Sequence, residues 1–192
     1  MPNLVVIFGP PASGKAAIGS KAAEALGYRF FHNHHTANPV AALFGWLTPK
    51  FTEVLYEVRD LLFERAAQDP DITGVVFTFV WAFDESDDTA KIDHLVSKFT
   101  QSGGKVHFVE LLASLDTRIQ RECTPFRRKN KPNQNNLEEA IERQRALDAR
   151  YTMNTTGVLP LEYPHLIINT EQLSEESAAH QVVQFVDMQN GA

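Results

Sequence analysis

The chain contains a single cysteine, Cys123, among 192 residues. A lone thiol excludes an intramolecular disulfide and a cysteine-built metal cluster, and it fits a reducing compartment, so a cytoplasmic protein is expected. Positive charge is not in excess either, since 18 Lys and Arg stand against 24 Asp and Glu for a net charge of −6. A general nucleic-acid or anionic-membrane surface needs a broad positive field, so neither partner is expected. No apolar run is long enough to cross a bilayer, and a strand-like run begins by Asn3, so neither a membrane span nor a signal peptide is expected. Internal repeats and linker-like stretches are also missing. With 43% apolar residues, a single compact domain over 1–192 can bury a sizeable core.

What is present is concentrated near the start. The apolar run Leu4-Val5-Val6-Ile7-Phe8 leads into GPPASGK, and an amphipathic segment follows. Gly9, Gly14 and Lys15 satisfy G-x-x-x-x-G-K, the Walker A pattern. Such a loop wraps backbone N–H groups around a nucleotide phosphate at the positive end of a helix, while the lysine ammonium reaches the β- and γ-phosphates. The residues expected to contact the nucleotide are therefore Gly9, Pro10, Pro11, Ala12, Ser13, Gly14, Lys15, Ala16 and Ala17. One element of the pattern is lacking. The position after the lysine usually carries a Ser or Thr hydroxyl for Mg²⁺, and here it is Ala16, followed by Ala17.

Strand-like and helix-like patterns alternate along the chain, the mark of an α/β fold with a parallel sheet covered on both faces. Strands are expected over 3–8, 28–32, 74–80, 105–112 and 165–169. Helices are expected over 15–26, 86–101, 114–122, 137–151 and 174–188. The stretch 37–68 reads as helix broken near Trp46-Leu47-Thr48-Pro49, because proline ends a helix at the residue before it. Residues 124–136, TPFRRKNKPNQNN, hold four basic residues and two prolines without an apolar period, and read as a loop. Ligands of open parallel sheets bind beyond the carboxyl ends of the strands. This directs attention to the loop after the first strand, His32-Asn33-His34-His35 after the second, Trp81 to Glu85 after the third, Arg118, Arg121 and the basic loop after the fourth, and Asn169-Thr170-Glu171 after the fifth.

The order of phosphate loop, broken helical segment bearing Arg59, LDTRIQRE after the fourth strand, and arginine-bearing loop resembles the small P-loop kinases: shikimate kinase, gluconate kinase and chloramphenicol phosphotransferase. The resemblance spans nearly the whole chain. It implies a three-layer P-loop NTPase fold with a five-stranded parallel sheet of order 2-3-1-4-5, a substrate-binding helical region over about 37–68 and a lid over about 123–136. It also implies ATP with Mg²⁺ as cofactors, a small-molecule acceptor, and a monomer or homodimer.

Within that resemblance Lys15 and the loop backbone hold the phosphates, and Arg127 and Arg128 act as lid arginines over the γ-phosphate; the other reading of this pair is a solvated charge run. Arg118 would lie near adenine or phosphates with Asn169 and Thr170, or on a helix surface. The second strand of the kinases named ends in an Asp-containing motif. Here His32 or His34 is a general base or substrate contact, a Zn²⁺ or Mn²⁺ ligand, or a strand-end pair satisfied by carbonyls. Asp84 is the metal candidate, against a helix-capping role. Arg59 would clamp an acceptor carboxylate or phosphate, or else pair with Glu53 or Glu57. Trp46, Trp81, Phe44 and Phe83 would line an acceptor pocket or belong to the core. A shikimate acceptor is disfavoured, because TFVWAFD stands where that enzyme has a glycine triplet. The expected activity is ATP-dependent phosphorylation of a small molecule, with a weakened nucleotide sensor or a kinase acting on a larger partner as the other readings.

Overall fold

A computed structural model describes residues 1–122 and 137–191. Five strands form one parallel sheet in the order β2-β3-β1-β4-β5, the order the resemblance implies. They are β1 (Asn3–Phe8), β2 (Arg29–Phe31), β3 (Gly74–Phe79), β4 (Val106–Leu112) and β5 (His165–Asn169). The helices among the described residues are α1 (Lys15–Leu26), α2 (His34–Phe44), α3 (Pro49–Gln68), α4 (Ser86–Gln101), α5 (Leu115–Glu122), α6 (Leu137–Arg150) and α7 (Glu175–Gly191). The central strands are uncharged or nearly so because both faces are covered. All six residues of β3 are buried.

Alternate residues of β1 serve two cores. Leu4, Val6 and Phe8 pack with Phe77, Phe79 and Phe108 beneath α3 and α4, through Phe63, Ile92, Leu95 and Phe99. Val5 and Ile7 pack with Val109 and Leu111 on the opposite face, beneath α1 and α7, through Ile18, Ala22, Ala178 and Val182. A smaller cluster of Ala37, Val40, Phe51 and Leu55 holds α2 against α3. Register aligns Phe8 with Phe79 on one side and Glu110 on the other, so the segments after β1, β3 and β4 emerge at one level.

Two boundaries differ from the sequence reading in a way that matters. β2 stops at Phe31, and α2 begins at His34 rather than near 37, so His34 and His35 occupy the first turn of a helix. Pro39 lies inside α2, where it forfeits only one helical hydrogen bond and does not end the helix. The expected break is real: α2 ends at Gly45, Leu47 adopts φ +61°, and Thr48 caps α3 by accepting the Phe51 amide at 3.1 Å, with Pro49 in the first turn. No described helix is long and apolar enough to cross a membrane.

Candidate active site

The loop between β1 and α1 sits at the carboxyl edge of the middle strand. Gly9 has φ +142°, and a Cβ there would lie 2.5 Å from the Leu111 carbonyl oxygen, so close approach to β4 demands glycine. Gly14 (φ +101°) starts α1 with no side-chain cap, which leaves the helix's positive end facing the loop. Ala12 also adopts a left-handed conformation, φ +64°, a strained choice for a non-glycine residue. The Lys15 ammonium donates to the Gly9 carbonyl at 2.7 Å and the Pro10 carbonyl at 2.6 Å, curling over the loop. A glycine-rich turn with a lysine at a helix N-terminus is an arrangement that could hold an anion such as a nucleotide phosphate.

The loop rests on the start of the segment after β5. The Thr170 hydroxyl lies 3.1 Å from both the Ser13 and Leu112 carbonyls. Arg121 donates to the Thr170 carbonyl at 2.7 Å, its hydroxyl at 3.0 Å and the Ala12 carbonyl at 3.3 Å. Burial lowers the Arg121 pKa, opposed by the charges of Glu171 and Glu175. Thr170 was expected to contact the cofactor, but at 2% exposure it lies beneath the loop and supports it. Asn169 accepts the Glu171 amide at 3.0 Å and so closes the turn after β5. Arg118 is also displaced from its expected role. It is 3% exposed, bonds the Ala113 carbonyl at 3.2 Å and pairs with Asp148 on α6, so it joins two helices.

Beyond β2, the imidazoles of His32 and His34 stack with centroids 5.2 Å apart. The His34 amide donates to His32 Nδ1 at 3.2 Å, and the His32 amide donates to His35 Nδ1 at 3.3 Å. His34 Nδ1 lies 2.9 Å from Asn38 Oδ1, one helical turn on. Trp46, half exposed at the α2–α3 tip, meets the His34 ring edge-on at 5.8 Å and so borders this corner.

Arg59, expected to clamp an acceptor, is 2% exposed. Its Nη2 bonds Asn33 Oδ1 and its Nε bonds Thr36 Oγ1 at 3.2 Å. The guanidinium stands 5.5 Å from the Tyr56 ring centroid and 5.6 Å from that of Phe77. Burial brings its pKa down to about 10, so it remains charged at neutral pH. Burial likewise pushes the Tyr56 phenol up to about 12, with Asp88 adding to the effect. The pairing with Glu53 or Glu57 does not form; Glu53 binds Lys50 at 2.7 Å.

Trp81 requires a correction. It is fully buried between Phe8 and Phe83, with centroids 5.4 and 4.7 Å away, and its Nε1 bonds Thr89 at 3.1 Å. An indole at the end of β3 is drawn into the aromatic core, where its burial contributes roughly 2–3 kcal/mol. Asp84 accepts the Thr152 amide at 3.0 Å, tying the segment after α6 to the β3 exit. Among the described residues no group of three His, Cys, Asp or Glu is placed to hold a metal ion. With methyl groups at Ala16 and Ala17, the hydroxyl that usually follows the lysine to ligate Mg²⁺ is missing, and the one hydroxyl of the loop, that of Ser13, is fully buried. Arg127, Arg128 and the lid lie outside the described residues.

The sequence reading missed Glu110. Fully buried on β4, it accepts the Asn154 amide group at 2.9 Å, the Thr155 N–H at 2.7 Å and the Thr155 hydroxyl at 2.5 Å. His165 Nε2 is 3.1 Å from its Oε2, off the line of a hydrogen bond. An acid in the run VHFVELL, whose other residues are apolar except His107, was the available signal.

The sequence matches no family model and no curated protein. Solved structures resemble it in fold. A sugar kinase from Janibacter aligns over 97% of this chain and 95% of its own at 14% identity, with a TM-score of 0.64. A gluconokinase from Sinorhizobium meliloti aligns over 98% and 97% at 18% identity and 0.58. The shikimate kinase of Acinetobacter baumannii, solved with shikimate, aligns over 98% and 94% at 22% identity and 0.52. The fold is that of small P-loop kinases of the shikimate and gluconate kinase kind.

Proposed function

We propose that the protein is an ATP-dependent phosphotransferase that moves the γ-phosphoryl group to a hydroxyl or phosphate of a small molecule. The observation that carries this reading is the loop from Gly9 to Lys15, with Lys15 curled over an uncapped helix N-terminus at the carboxyl edge of the sheet. Lys15 and the amides of the first turn of α1 would hold the nucleotide phosphates, and Arg127 and Arg128 would close over them. Mg²⁺ would be carried by phosphates and water, since the position after Lys15 contributes no hydroxyl.

The acceptor would lie in the corner between this loop and the first turn of α2, with Trp46 at its border. His34 would take the hydroxyl proton and His32 would touch the acceptor. Phosphoryl transfer depends mostly on positioning and charge neutralisation, which these groups supply.

The test is ADP release with ATP and a panel of sugar acids, nucleosides, nucleotides, cyclic hydroxy acids and hydroxylated antibiotics. An acceptor-dependent rate that falls about 10²–10³-fold in Lys15→Ala is expected. An unchanged rate in that variant, or no acceptor-dependent turnover across the panel, would overturn the reading. The second reading is a nucleotide sensor without turnover, supported by the paired methyl groups of Ala16 and Ala17.

A further inference from the structure

Large apolar side chains stand exposed at scattered positions such as Met1, Val158 and Met188, which is ordinary for a folded protein. The connection between α2 and α3 is different. Leu43, Phe44, Trp46 and Leu47 are four of five consecutive residues and all are exposed, Leu43 by 80% and Leu47 by 86%. Apolar surface gathered in one place is the mark of a binding surface.

The connection is held in place beneath this patch. Thr48 caps α3, and Ala37, Val40, Phe51 and Leu55 lock the two helices together. Gly45 (φ +74°) and Leu47 (φ +61°) both have positive φ. A turn that had only to reverse the chain would take glycine at both positions, since a leucine is strained there. An exposed leucine kept in that conformation points to a use for its side chain.

The patch is continuous with the acceptor corner. The Trp46 indole packs on Phe51, with centroids 5.3 Å apart, and returns to the first turn of α2, where it meets the His34 ring at 5.8 Å. Two cations of α3 are already engaged. Lys50 pairs with Glu53 at 2.7 Å. Arg59 turns its donors inward to Asn33 and Thr36, and the Asn33 amide is held in turn by Thr78 on β3 at 3.1 Å. A carboxylate or phosphate lying on this patch would meet neither cation unpaired, whereas an uncharged apolar body gains by leaving water.

We propose that the acceptor is an amphiphile: a hydroxyl compound whose uncharged apolar body, aryl or alkyl, lies on Leu43, Trp46 and Leu47 while its hydroxyl points to the corner between the β1–α1 loop and α2. Leu43, Trp46 and Leu47 are then the residues that set acceptor specificity, and sugar acids rank lowest in the acceptor panel. The inference rests on the proposed phosphoryl transfer for the fate of the hydroxyl, but the apolar contact can be measured without nucleotide.

The experiment is calorimetric titration of the full chain with methyl, butyl and hexyl β-glucosides, each below its micellar concentration and with no nucleotide present. The glucose head supplies neutral hydroxyls and the tail length varies alone. Affinity is expected to rise about 2–4-fold for each added CH₂, the range from half to full burial. Leu47→Gly removes the side chain and suits φ +61°. Combined with Leu43→Ser, it should lower the hexyl-to-methyl affinity ratio about tenfold. Met188→Ser, on α7 across the sheet, should leave that ratio unaltered. An affinity indifferent to tail length, a ratio kept in the double variant, or one lost equally in Met188→Ser would overturn the proposal. So would a dimer in analytical ultracentrifugation that the double variant dissolves, because the patch would then belong to a second copy of the chain. Failure of the kinase reading looks different. Hexyl glucoside that binds with the expected ratio and is never phosphorylated supports the apolar contact and counts against transfer. Phosphorylation of a sugar acid with a KM unchanged in Leu47→Gly would sustain the kinase reading and overturn this one.

Discussion

Arg121 Nη2 donates to the Thr170 carbonyl at 2.7 Å while Nη1 of the same guanidinium reaches the Ala12 carbonyl at 3.3 Å. One side chain on α5 thus couples the turn after β5 to the loop between β1 and α1. Arg121→Ala should cost about 1–3 kcal/mol of stability, because it leaves partly buried carbonyls without donors. It should also weaken ATP binding by loosening Ala12. Arg121→Lys should recover only part, since an ammonium cannot span both loops. Thermal unfolding and calorimetric titration read the two effects, and an alanine variant indistinguishable from the parent in both would refute the coupling.

Ala16 is exposed in the first turn of α1, so a larger side chain fits there without repacking. Ala16→Thr should change stability by less than about 0.5 kcal/mol. It should make ATP binding about tenfold more dependent on Mg²⁺ than in the parent, by supplying the hydroxyl that is missing after the lysine. Titrations with Mg²⁺ and with EDTA separate the cases. If the parent already shows the full magnesium dependence, the metal is held without a hydroxyl at position 16.

Glu110 anchors Asn154 and Thr155 from within the sheet. Burial raises its pKa, but contacts with His165, Thr155 and Asn154 outweigh that and hold it below the usual 4.5. A carboxyl whose folded pKa is depressed contributes stability above its unfolded pKa and loses that contribution as pH falls through the folded value. Glu110→Gln should therefore be less stable than the parent at neutral pH, by about 1–3 kcal/mol, and the difference should shrink below about pH 4.5. Denaturant unfolding across that range measures it; a pH-independent difference would exclude the ionised carboxylate as the cause.

His107 is 1% exposed on β4, and among the described residues neither ring nitrogen has a hydrogen-bond partner in good geometry. Burial lowers its pKa from 6.5, an effect that the Asn190 side chain opposes and Lys105 reinforces. Because the folded state disfavours the charged ring, stability should fall as pH drops below about 6.5 and level off once the folded protein also protonates. His107→Leu should flatten that slope. An unaltered acid limb in this variant would assign the slope to other groups.

Much of this architecture was legible in the sequence because it is written in local patterns. The run Leu4–Phe8 and the glycines at 9 and 14 announce a strand, a tight loop and a helix start through sterics that act within a few residues. Thr48-Pro49 likewise marks the start of α3 by capping chemistry alone. The first turn of α2 was less legible. His34, His35 and Thr36 have no strong helical preference, and the turn is held by Arg59 and Thr78, which are distant in sequence.

The sequence by itself determined the alternating α/β class, the glycine-rich loop between β1 and α1 and the absence of a hydroxyl at position 16, because each depends on residue type and short-range spacing. Only the tertiary structure decided which polar residues face a ligand and which support the fold. Trp81, Arg118 and Thr170 follow strands at the ligand-binding edge, yet packing places them in the interior, and Arg59 is committed to Asn33 and Thr36. The physical reason is that a buried polar group must take whatever partner the long-range packing brings to it, and that partner is not encoded in its neighbours along the chain.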